Sequence, residues 1–328
     1  MRVFVTGATG FIGSAVVREL VEAGHEVTGL ARSAEAAAKL EALGAKAELG
    51  TIEDLASLAR GAGRADGVIH TAFFHGFSQA ALGTRLGVLF GGSPARIVKR
   101  FIAAAVEADR RAIEALGNAL RGEERSLVIA FPKMAMAQGR QAVETDAADL
   151  AAVGGLRARA ETAALALAAR GVRAAIVRLP PAVHDETKQG LVTRLIEIAR
   201  KKQISAYVEE GKNRWGAVHR LDAAHLFRLA LENGAAGARY HAVGEEAIGF
   251  RDIAEAIGRL LGVPSRALSI DDAAKHFGLL APFVDADNPV SSRLTQQRLG
   301  WQSTHPTLLV DVASALRGAP ARASPALT

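Results

Sequence analysis

The chain has 328 residues, of which 49% are hydrophobic, enough to bury a large core in one domain or in a domain with a smaller lobe. It has no cysteine, which excludes disulfides, thiolate catalysis and cysteine-ligated metals and fits a reducing cytoplasm; we predict no metal site. The net charge of +6 is spread over Ala-rich helices, and only 5% of residues are aromatic, which argues against a nucleic-acid partner. No leader-like segment precedes the first strand, and no apolar run reaches the roughly 18 residues of a membrane span, so we expect a cytoplasmic protein without such a span.

The first thirteen residues combine an apolar strand, a glycine turn and the start of a helix. Residues 1–5 are apolar and β-branched, and Gly7, Gly10 and Gly13 accompany the onset of helical periodicity at residues 11–23. Glycine here permits a positive φ, lets the backbone approach a pyrophosphate and lets the helix pack closely on the strand. The free N–H groups at the helix start then face the phosphates. This stretch therefore predicts a dinucleotide site rather than a glycine-rich turn without a ligand.

Strands and helices continue to alternate as far as residue 179. Apolar runs, helical periodicity, capping residues and glycine stops together form the pattern of successive β-α-β units. Such alternation predicts a parallel sheet with helices on both faces, that is, an α/β doubly wound Rossmann-type domain over residues 1–180. The predicted strands are 1–5, 25–30, 46–49, 67–71, 127–131 and 173–179, and the predicted helices are 11–23, 33–44, 52–59, 100–121 and 158–170.

The alternation becomes irregular after Pro180. From residues 181–318 we predict a smaller C-terminal α/β lobe that covers the substrate and is interleaved with the Rossmann core. Residues 319–328 are rich in Ala, Pro and Ser and are predicted to form a frayed tail. The predicted elements of the lobe are helices at 190–202, 222–233 and 250–261, extended pieces near 204–208 and 240–243, and a last short helix.

Five segments carry motifs in a fixed order along the chain; they are 6–13, 66–73, 178–184, 215–222 and 299–301. This set resembles the glycine motif, the fourth strand, the sixth strand with its proline turn, the later Val-His-Arg-Leu-Asp stretch and a C-terminal Leu-Gly-Trp of the extended and atypical short-chain dehydrogenase/reductases, which are NAD-dependent epimerase/dehydratase-like proteins. As an ordered set the motifs are far more specific than any one alone. The resemblance implies a Rossmann-type domain that binds NAD or NADP and a C-terminal lobe that shapes the substrate pocket.

The residue after the second strand decides which nicotinamide nucleotide we expect. Domains that prefer NAD usually carry an acid there, about 20 residues after the glycine motif, which bonds the ribose 2′-hydroxyl. Here Arg32 and Ser33 follow the strand instead. A guanidinium binds a 2′-phosphate through two charge-assisted hydrogen bonds, so we predict NADP(H); the alternative is that Arg32 is an ordinary surface cation.

The glycine turn and the family resemblance together predict the residues that contact the cofactor. The adenine is expected near Thr51, where the family commonly has an Asp, so one expected acceptor for the adenine amino group is missing. The predicted cofactor-binding residues are Gly7, Thr9, Gly10, Phe11, Ile12, Gly13, Arg32, Ser33, Thr51, Ile52, Thr71, Ala72, Phe73, Ala130, Phe131, Pro180 and Val183.

The resemblance also implies a Tyr-x-x-x-Lys pair on a helix, in which the phenol exchanges a proton with the substrate and the lysine lowers the pKa of the phenol. Neither of the two tyrosines, Tyr207 and Tyr240, is followed four residues later by a lysine. By position, Arg157 replaces the tyrosine and Glu161 replaces the lysine. This spacing favours an ion pair, so Arg157 is either an oxyanion-stabilising group or the partner of Glu161.

Without the tyrosine, the predicted catalytic candidates are Lys133, His75, His184 and Arg157. The fifth strand ends without the Ser or Thr that is usual in the family, and Lys133 follows it. A lysine acts as an acid near pH 7 only if burial or nearby charge lowers its pKa; otherwise Lys133 is an anion anchor or a solvated loop cation. His75 and His184 are on loops at the carboxyl edge of the strands, whereas His70 ends the fourth strand and is expected to be a packed residue.

The connection between the fourth strand and the helix at residue 100 is longer than we expect for this family. Its apolar residues between Leu82 and Phe90 can cover the pocket as a water-excluding lid, which favours a bulky, apolar substrate. The alternative is a helical extension buried on its own domain or in a homodimer contact.

Together these features predict an enzyme. We expect an NADPH-dependent reductase of a bulky hydrophobic carbonyl, imine or conjugated substrate (aromatic, quinone or polyketide-like) with a non-standard proton donor. The alternatives are a non-catalytic NADP(H)-binding sensor or regulator and a non-redox isomerase or lyase, because one fold supports all three.

Overall fold

The first half of the chain alternates strands and helices, as its apolar periodicity predicts. The computed structural model describes residues 1–122 and 124–317. Helices begin where the sequence offers a capping side chain: Ser33 and Asp54 accept hydrogen bonds from first-turn N–H groups. The elements are β1 (Arg2–Thr6), α1 (Phe11–Glu22), β2 (Glu26–Ala31), α2 (Ala34–Glu41), β3 (Lys46–Leu49), α3 (Leu55–Gly63), β4 (Gly67–His70), α4 (Leu82–Phe90), α5 (Ile97–Ala119), β5 (Ser126–Pro132), α6 (Ala158–Ala168) and β6 (Arg173–Leu179).

The second half has shorter strands between its helices. The three helices predicted for the lobe are present as α7, α8 and α9, and the predicted tail at 319–328 lies outside the described residues. The elements are β7 (Ala182–His184), α7 (Leu191–Lys202), β8 (Ser205–Val208), β9 (Arg214–His219), α8 (Arg220–Asn233), β10 (Arg239–His241), β11 (Glu245–Gly249), α9 (Phe250–Leu261), β12 (Ser265–Leu268), α10 (Ile270–Phe277), α11 (Ala281–Asp285), α12 (Arg293–Leu299) and α13 (Leu308–Arg317).

Seven strands form the central sheet in the order β10-β6-β5-β4-β1-β2-β3, and each neighbouring pair is parallel. This confirms the α/β Rossmann-type fold with helices on both faces. The strand order reverses between β1 and β4, whose register pairs Val5 with Ile69. In such sheets ligands bind beyond the carboxyl ends of the strands at this switch point.

The strands bury both of their faces, which explains their nearly continuous apolar runs. In β1, Val3 and Val5 belong to a core shared with α1 and α8, whereas Phe4 between them points into the core formed with α3 and α5. Gly61 of α3 approaches the Phe4 ring so closely that a Cβ would lie 2.4 Å from it. The sheet is therefore held rigidly between two helical layers, and its carboxyl edge is a fixed platform.

The C-terminal half forms its own core but also returns to the central sheet. Trp215 and Phe250 pack edge-on, with ring centroids 5.0 Å apart, at the centre of a third apolar cluster. Two small sheets, β11-β9-β7 and β12-β8, belong to this part. In contrast, α8 packs on α1, and β10 extends the central sheet beside β6.

The long connection after β4 contains α4, and α5 begins at Ile97, three residues before the predicted start. Glu53 anchors this connection: its carboxylate accepts a 2.5 Å hydrogen bond from the Ala81 N–H and another from the Thr84 hydroxyl. Val88 of α4 is buried, whereas Leu82, Leu86, Leu89 and Phe90 are exposed, Phe90 to 80%. Within the described residues, no helix has the length and apolar character needed to cross a membrane.

Candidate cofactor cleft and active site

The glycine turn between β1 and α1 is too tightly packed for side chains. Gly7 has a φ of +70°, and a Cβ there would lie 2.7 Å from the backbone N of Ala72. A Cβ on Gly13 would lie 2.0 Å from the carbonyl oxygen of Gly7. No side chain caps the N-terminus of α1, so its first-turn N–H groups are available to an anion. The turn therefore fits the diphosphate of a dinucleotide.

Arg32 and Ser33 lie at the carboxyl end of β2, and both are exposed. Ser33 Oγ accepts the N–H of Ala36 at 3.2 Å and caps α2, which leaves its hydroxyl proton available to an acceptor. In the part of the chain that the structure describes, Arg32 has no carboxylate partner. Thr51 and Ile52 follow the neighbouring strand β3, with Ile52 buried and Thr51 half-buried. The residues expected around the adenosine are therefore neighbours at one end of the sheet.

Arg157 lies in the cleft, across the ends of two adjacent strands. Its guanidinium carbon is 4.0 Å from the centroid of the Phe73 ring, just beyond β4, and Nη2 donates to the carbonyl oxygen of Ala130 in β5 at 3.2 Å. The His75 ring packs edge-on against Phe73, with centroids 5.4 Å apart. The structure thus brings together three residues that the sequence singles out: Arg157, Phe73 and His75.

A buried chain of polar groups lies behind Arg157. The carboxylate of Asp109, in α5, is 3.3 Å from Nε of Arg157 and 3.1 Å from Nε2 of His70. His70 is buried, as expected, and its Nδ1 shares a 2.6 Å hydrogen bond with the Thr6 hydroxyl. Burial lowers the pKa of Arg157, and the Asp109 charge opposes this shift. Asp109 therefore supplies the counter-charge that keeps a guanidinium at the cleft.

Of the two alternatives for Arg157, the ion pair with Glu161 is wrong. The carboxylate of Glu161 accepts two hydrogen bonds from Nη2 of Arg178, at 2.8 and 3.0 Å, and a third from Nε of Arg239. These arginines belong to the neighbouring strands β6 and β10 and approach Glu161 from the sheet. Helical spacing places Arg157 and Glu161 on adjacent turns, but the two strand arginines occupy the carboxylate.

Lys133 follows β5 directly, but its ammonium contacts the C-terminal part of the chain. Nζ donates to Oδ1 of Asn288 at 3.1 Å and to the carbonyl oxygen of Pro289 at 3.4 Å, and the residue has no exposed surface. Burial lowers the pKa of Lys133 to about 7, and the positive charge of Arg178 adds to the shift. The amine is thus enclosed by protein on the lobe side of the strand.

Two cations near the cleft come from distant parts of the chain. Lys188 Nζ is 5.5 Å, and the guanidinium carbon of Arg220 is 5.0 Å, from the ring centroid of Phe11, the first residue of α1. His75 is exposed at the rim; desolvation lowers the pKa of its imidazole, and the charges of Arg157 and Lys188 lower it further. The open side of the cleft is therefore positively charged.

His184 lies in a closed cluster rather than at the cleft surface. It is fully buried, and its Nδ1 shares a 2.7 Å hydrogen bond with the Asp311 carboxylate. Burial nevertheless lowers the pKa of His184. Its ring packs edge-on against His219, which stacks on His305 with centroids 4.7 Å apart. These contacts connect β7 and β9 to His305 and to Asp311 of α13.

Ligand atoms of His219, Asp222 and His305 lie within 4.8 Å of one another, a spacing that would suit a metal ion. Hydrogen bonds within the protein account for the proximity of these three side chains without a metal ion. His219 Nδ1 accepts the N–H of Leu221, and the Asp222 carboxylate accepts from the Ser303 hydroxyl and shares a bond with His305 Nδ1, both at 2.7 Å. Nδ1 of His219, Nδ1 of His305 and the Asp222 carboxylate are thus engaged in protein hydrogen bonds.

Sequence reasoning missed Asp109, although a local signal exists. The buried face of α5 is otherwise apolar around it, with Val106, Ala112 and Ile113 as neighbours on that face. A carboxylate on such a face requires a buried polar partner. Lys188 lies in the loop after β7 and Arg220 begins α8, and only the tertiary fold brings these two residues to Phe11.

Comparison with known proteins places this geometry in context. A model of the NAD-dependent epimerase/dehydratase family matches residues 3–108. The uncharacterized protein C2A9.02 of Schizosaccharomyces pombe is 46% identical over 314 residues, which are 96% of this chain and 99% of that protein. A Stigmatella aurantiaca protein named 4-hydroxy-2-methyl-3-oxo-4-farnesyl-3,4-dihydroquinoline-1-oxide ketoreductase is 44% identical over 72 residues, 22% of each chain.

Among solved structures, the Thermus thermophilus UDP-glucose 4-epimerase in complex with NAD has a TM-score of 0.69 to this chain. The match covers 97% of this chain and 100% of the epimerase at 20% sequence identity. At that identity the likeness shows a shared fold.

Proposed function

The chain belongs to the NAD-dependent epimerase/dehydratase family, and from this membership we propose that it is an NADP(H)-dependent reductase of a bulky hydrophobic carbonyl, imine or conjugated substrate. The observation that carries the proposal is the cleft beyond β1 and β4, where a glycine cradle for a diphosphate lies beside Arg157, Phe73 and His75. The T. thermophilus epimerase, which has the same fold, is in complex with NAD, which supports a nicotinamide nucleotide in this cleft.

NADP(H) is the nucleotide that the adenosine end favours. No acid follows β2; instead Arg32 is exposed and, among the described residues, has no carboxylate partner. The guanidinium and the Ser33 hydroxyl can hold a 2′-phosphate.

Arg157 stabilises negative charge on the substrate, a role that a tyrosine has in other members of the family. The nicotinamide, when bound, supplies the hydride that reduces the acceptor carbon. The guanidinium is held by Asp109 and by the Ala130 carbonyl, so it is already in place to stabilise negative charge that develops on the acceptor oxygen. Arginine keeps its protons, so a different group completes the reduction.

His75 is the group that we assign to proton donation. It packs on the same Phe73 ring as Arg157 and lies at the exposed rim, where solvent can reprotonate it. Lys133, with a pKa lowered to about 7, would also be a competent acid, but its Nζ is bonded to Asn288 inside the protein. Geometry therefore favours His75 over Lys133, and over His184, which is buried against Asp311.

The substrate class is inferred from the long connection between β4 and α5. Leu86, Leu89 and Phe90 of α4 expose apolar surface, and Glu53 fixes the start of α4 beside the predicted adenine site. A water-excluding cover of this kind suits an apolar substrate. The partial similarity to a protein named as a farnesyl-quinoline-oxide ketoreductase supports a bulky aromatic ketone.

The proposal is tested by following NADPH consumption with a panel of hydrophobic ketones, quinones and imines. We expect turnover with at least one of them, and a loss of about 10²- to 10³-fold in kcat for Arg157→Ala, typical of removing an oxyanion-stabilising group. Arg159→Ala, at an exposed position in the first turn of α6 and two residues after Arg157, is the matched control. Binding of NADPH without consumption across the panel would instead identify a non-catalytic nucleotide-binding protein, and product formation without net NADPH consumption would identify an isomerase or lyase.

A further inference from the structure

The loop between β7 and α7 is a rigid turn built on one buried carboxylate. Oδ1 of Asp185, which is 1% exposed, accepts the N–H of Thr187 at 2.8 Å, the Thr187 hydroxyl at 2.6 Å and the N–H of Lys188 at 2.9 Å. The Asp185 N–H also donates to the Lys188 carbonyl oxygen at 2.8 Å. Gly190 closes the turn with a φ of +59°, and a Cβ there would lie 2.7 Å from the Pro181 carbonyl oxygen. The backbone of Lys188 is therefore held in one place.

The ammonium of Lys188 lies beside the phosphate cradle and faces across the cleft. Its Nζ is 5.5 Å from the ring centroid of Phe11, whose own N–H belongs to the first turn of α1. From the opposite wall, the same charge contributes to lowering the pKa of His75. Lys188 thus lies near the start of α1 and influences the loop after β4, at the switch point of the sheet where a dinucleotide would bind.

This positive charge is not neutralised by the protein. Arg220 contacts the same Phe11 ring, but its Nε is 2.7 Å from Oδ2 of Asp185 and its charge is compensated there. In the described part of the chain, Lys188 Nζ has no carboxylate partner. An exposed cation next to the uncapped, partially positive start of a helix is unfavourable unless an anion joins them.

We propose that Lys188 binds the diphosphate of the dinucleotide from the lobe side, opposite the N–H groups of α1. This inference rests on the nucleotide site in the proposed function and adds a residue from outside the glycine motif to it. Lysine serves as a flexible point charge for phosphate, and its position on the β7–α7 turn makes the lobe a direct participant in cofactor binding.

The test is equilibrium binding with two probes that separate the phosphates. ADP-ribose carries the diphosphate without the nicotinamide, and 2′-AMP carries adenosine and a 2′-phosphate without the diphosphate. For Lys188→Gln we expect ADP-ribose to bind roughly tenfold more weakly, the effect of losing one charge-assisted contact, while 2′-AMP binds as before. Lys188→Arg should keep the affinity for ADP-ribose within about threefold, since a cation remains.

Lys201→Gln, at an exposed position of α7 in the same lobe, is the control and should change neither affinity. If the native protein binds both probes and Lys188→Gln binds ADP-ribose normally, the clamp is overturned while the nucleotide site stands. If Lys188→Gln weakened the binding of ADP-ribose and of 2′-AMP equally, the clamp would also be overturned, because the lost affinity would then not be specific to the probe that carries the diphosphate. If the native protein binds neither probe, the proposed function fails together with the clamp.

Discussion

The position of Arg157 depends on Asp109, so the two residues should be linked in their effects. Asp109→Asn keeps the shape of the side chain but removes the charge next to a largely buried guanidinium. We expect kcat to fall by about tenfold or more while the KM for NADPH changes by less than about threefold, because Asp109 acts through Arg157 and not on the nucleotide. Glu107→Gln, which lies on the exposed side of α5, is the control. An unchanged kcat with a lowered melting temperature would show that Asp109 is only structural.

His75 should impose a pH dependence on the reduction. A proton donor must be protonated, and the pKa of His75 lies below its ordinary value of about 6.5 because of desolvation and the charges of Arg157 and Lys188. Activity should therefore rise as the pH falls from 8 and should level off only below that ordinary value. The measurement is the pH profile of kcat, and His75→Gln should lose the rise. A variant that retains the native profile would exclude His75 as the donor.

Arg32 should decide between the two nicotinamide nucleotides. Replacing Arg32 with Ala removes the cation that we assign to the 2′-phosphate, and we expect NADPH to bind about tenfold to a hundredfold more weakly with little change for NADH. Titration of both nucleotides measures this, with Lys39→Ala, in the following helix, as the control. Tighter binding of NADH than of NADPH by the native protein would contradict the assignment.

Helix α4 should contribute to substrate binding and not to cofactor binding. Leu86, Leu89 and Phe90 are exposed, so replacing all three with Ser should leave the fold intact. For a bulky apolar substrate we expect KM to rise by about tenfold, and for a small carbonyl compound we expect little change, since apolar contact area is what is lost. Unchanged KM values together with dissociation of an oligomer would show that α4 is a homodimer contact instead.

At the scale of the whole molecule, Lys133 joins the end of β5 to the segment before α12 and should make stability depend on pH. Its pKa is about 7 in the folded protein and about 10.4 in an unfolded chain. Between these values the unfolded chain binds a proton that the folded protein does not, so the free energy of unfolding should rise with pH, by at most about 1.4 kcal/mol per pH unit.

Urea unfolding at pH 7, 8 and 9 measures this slope. Lys133→Met should lose it, whereas the exposed Lys201→Met should keep it. Equal slopes for native protein and Lys133→Met would show that Lys133 is charged within the fold. The same experiment thus also checks whether burial leaves the Lys133 amine neutral where it donates to Asn288 and Pro289.

Features that depend on neighbouring residues could be predicted from the sequence, whereas contacts between distant segments could not. The β-α-β order, the glycine turn and the cap at Ser33 depend on neighbouring residues, and the structure has each of them. Helical spacing offers Glu161 as one of two alternatives for Arg157, and this alternative is wrong because arginines of two strands bind Glu161. The return of β10 to the central sheet was likewise invisible to local pattern.

The layered α/β architecture and its glycine cradle could be predicted from the residues alone, because periodicity and backbone freedom act over a few residues. Which polar groups meet at the carboxyl edge depends on the folded chain. Connections that include complete helices bring Asp109 and Lys188 to the cleft. Similar connections place His184 and Lys133 in buried contacts. The meeting of these polar side chains depends on long-range connections, so it cannot be predicted from the spacing of residues along the chain.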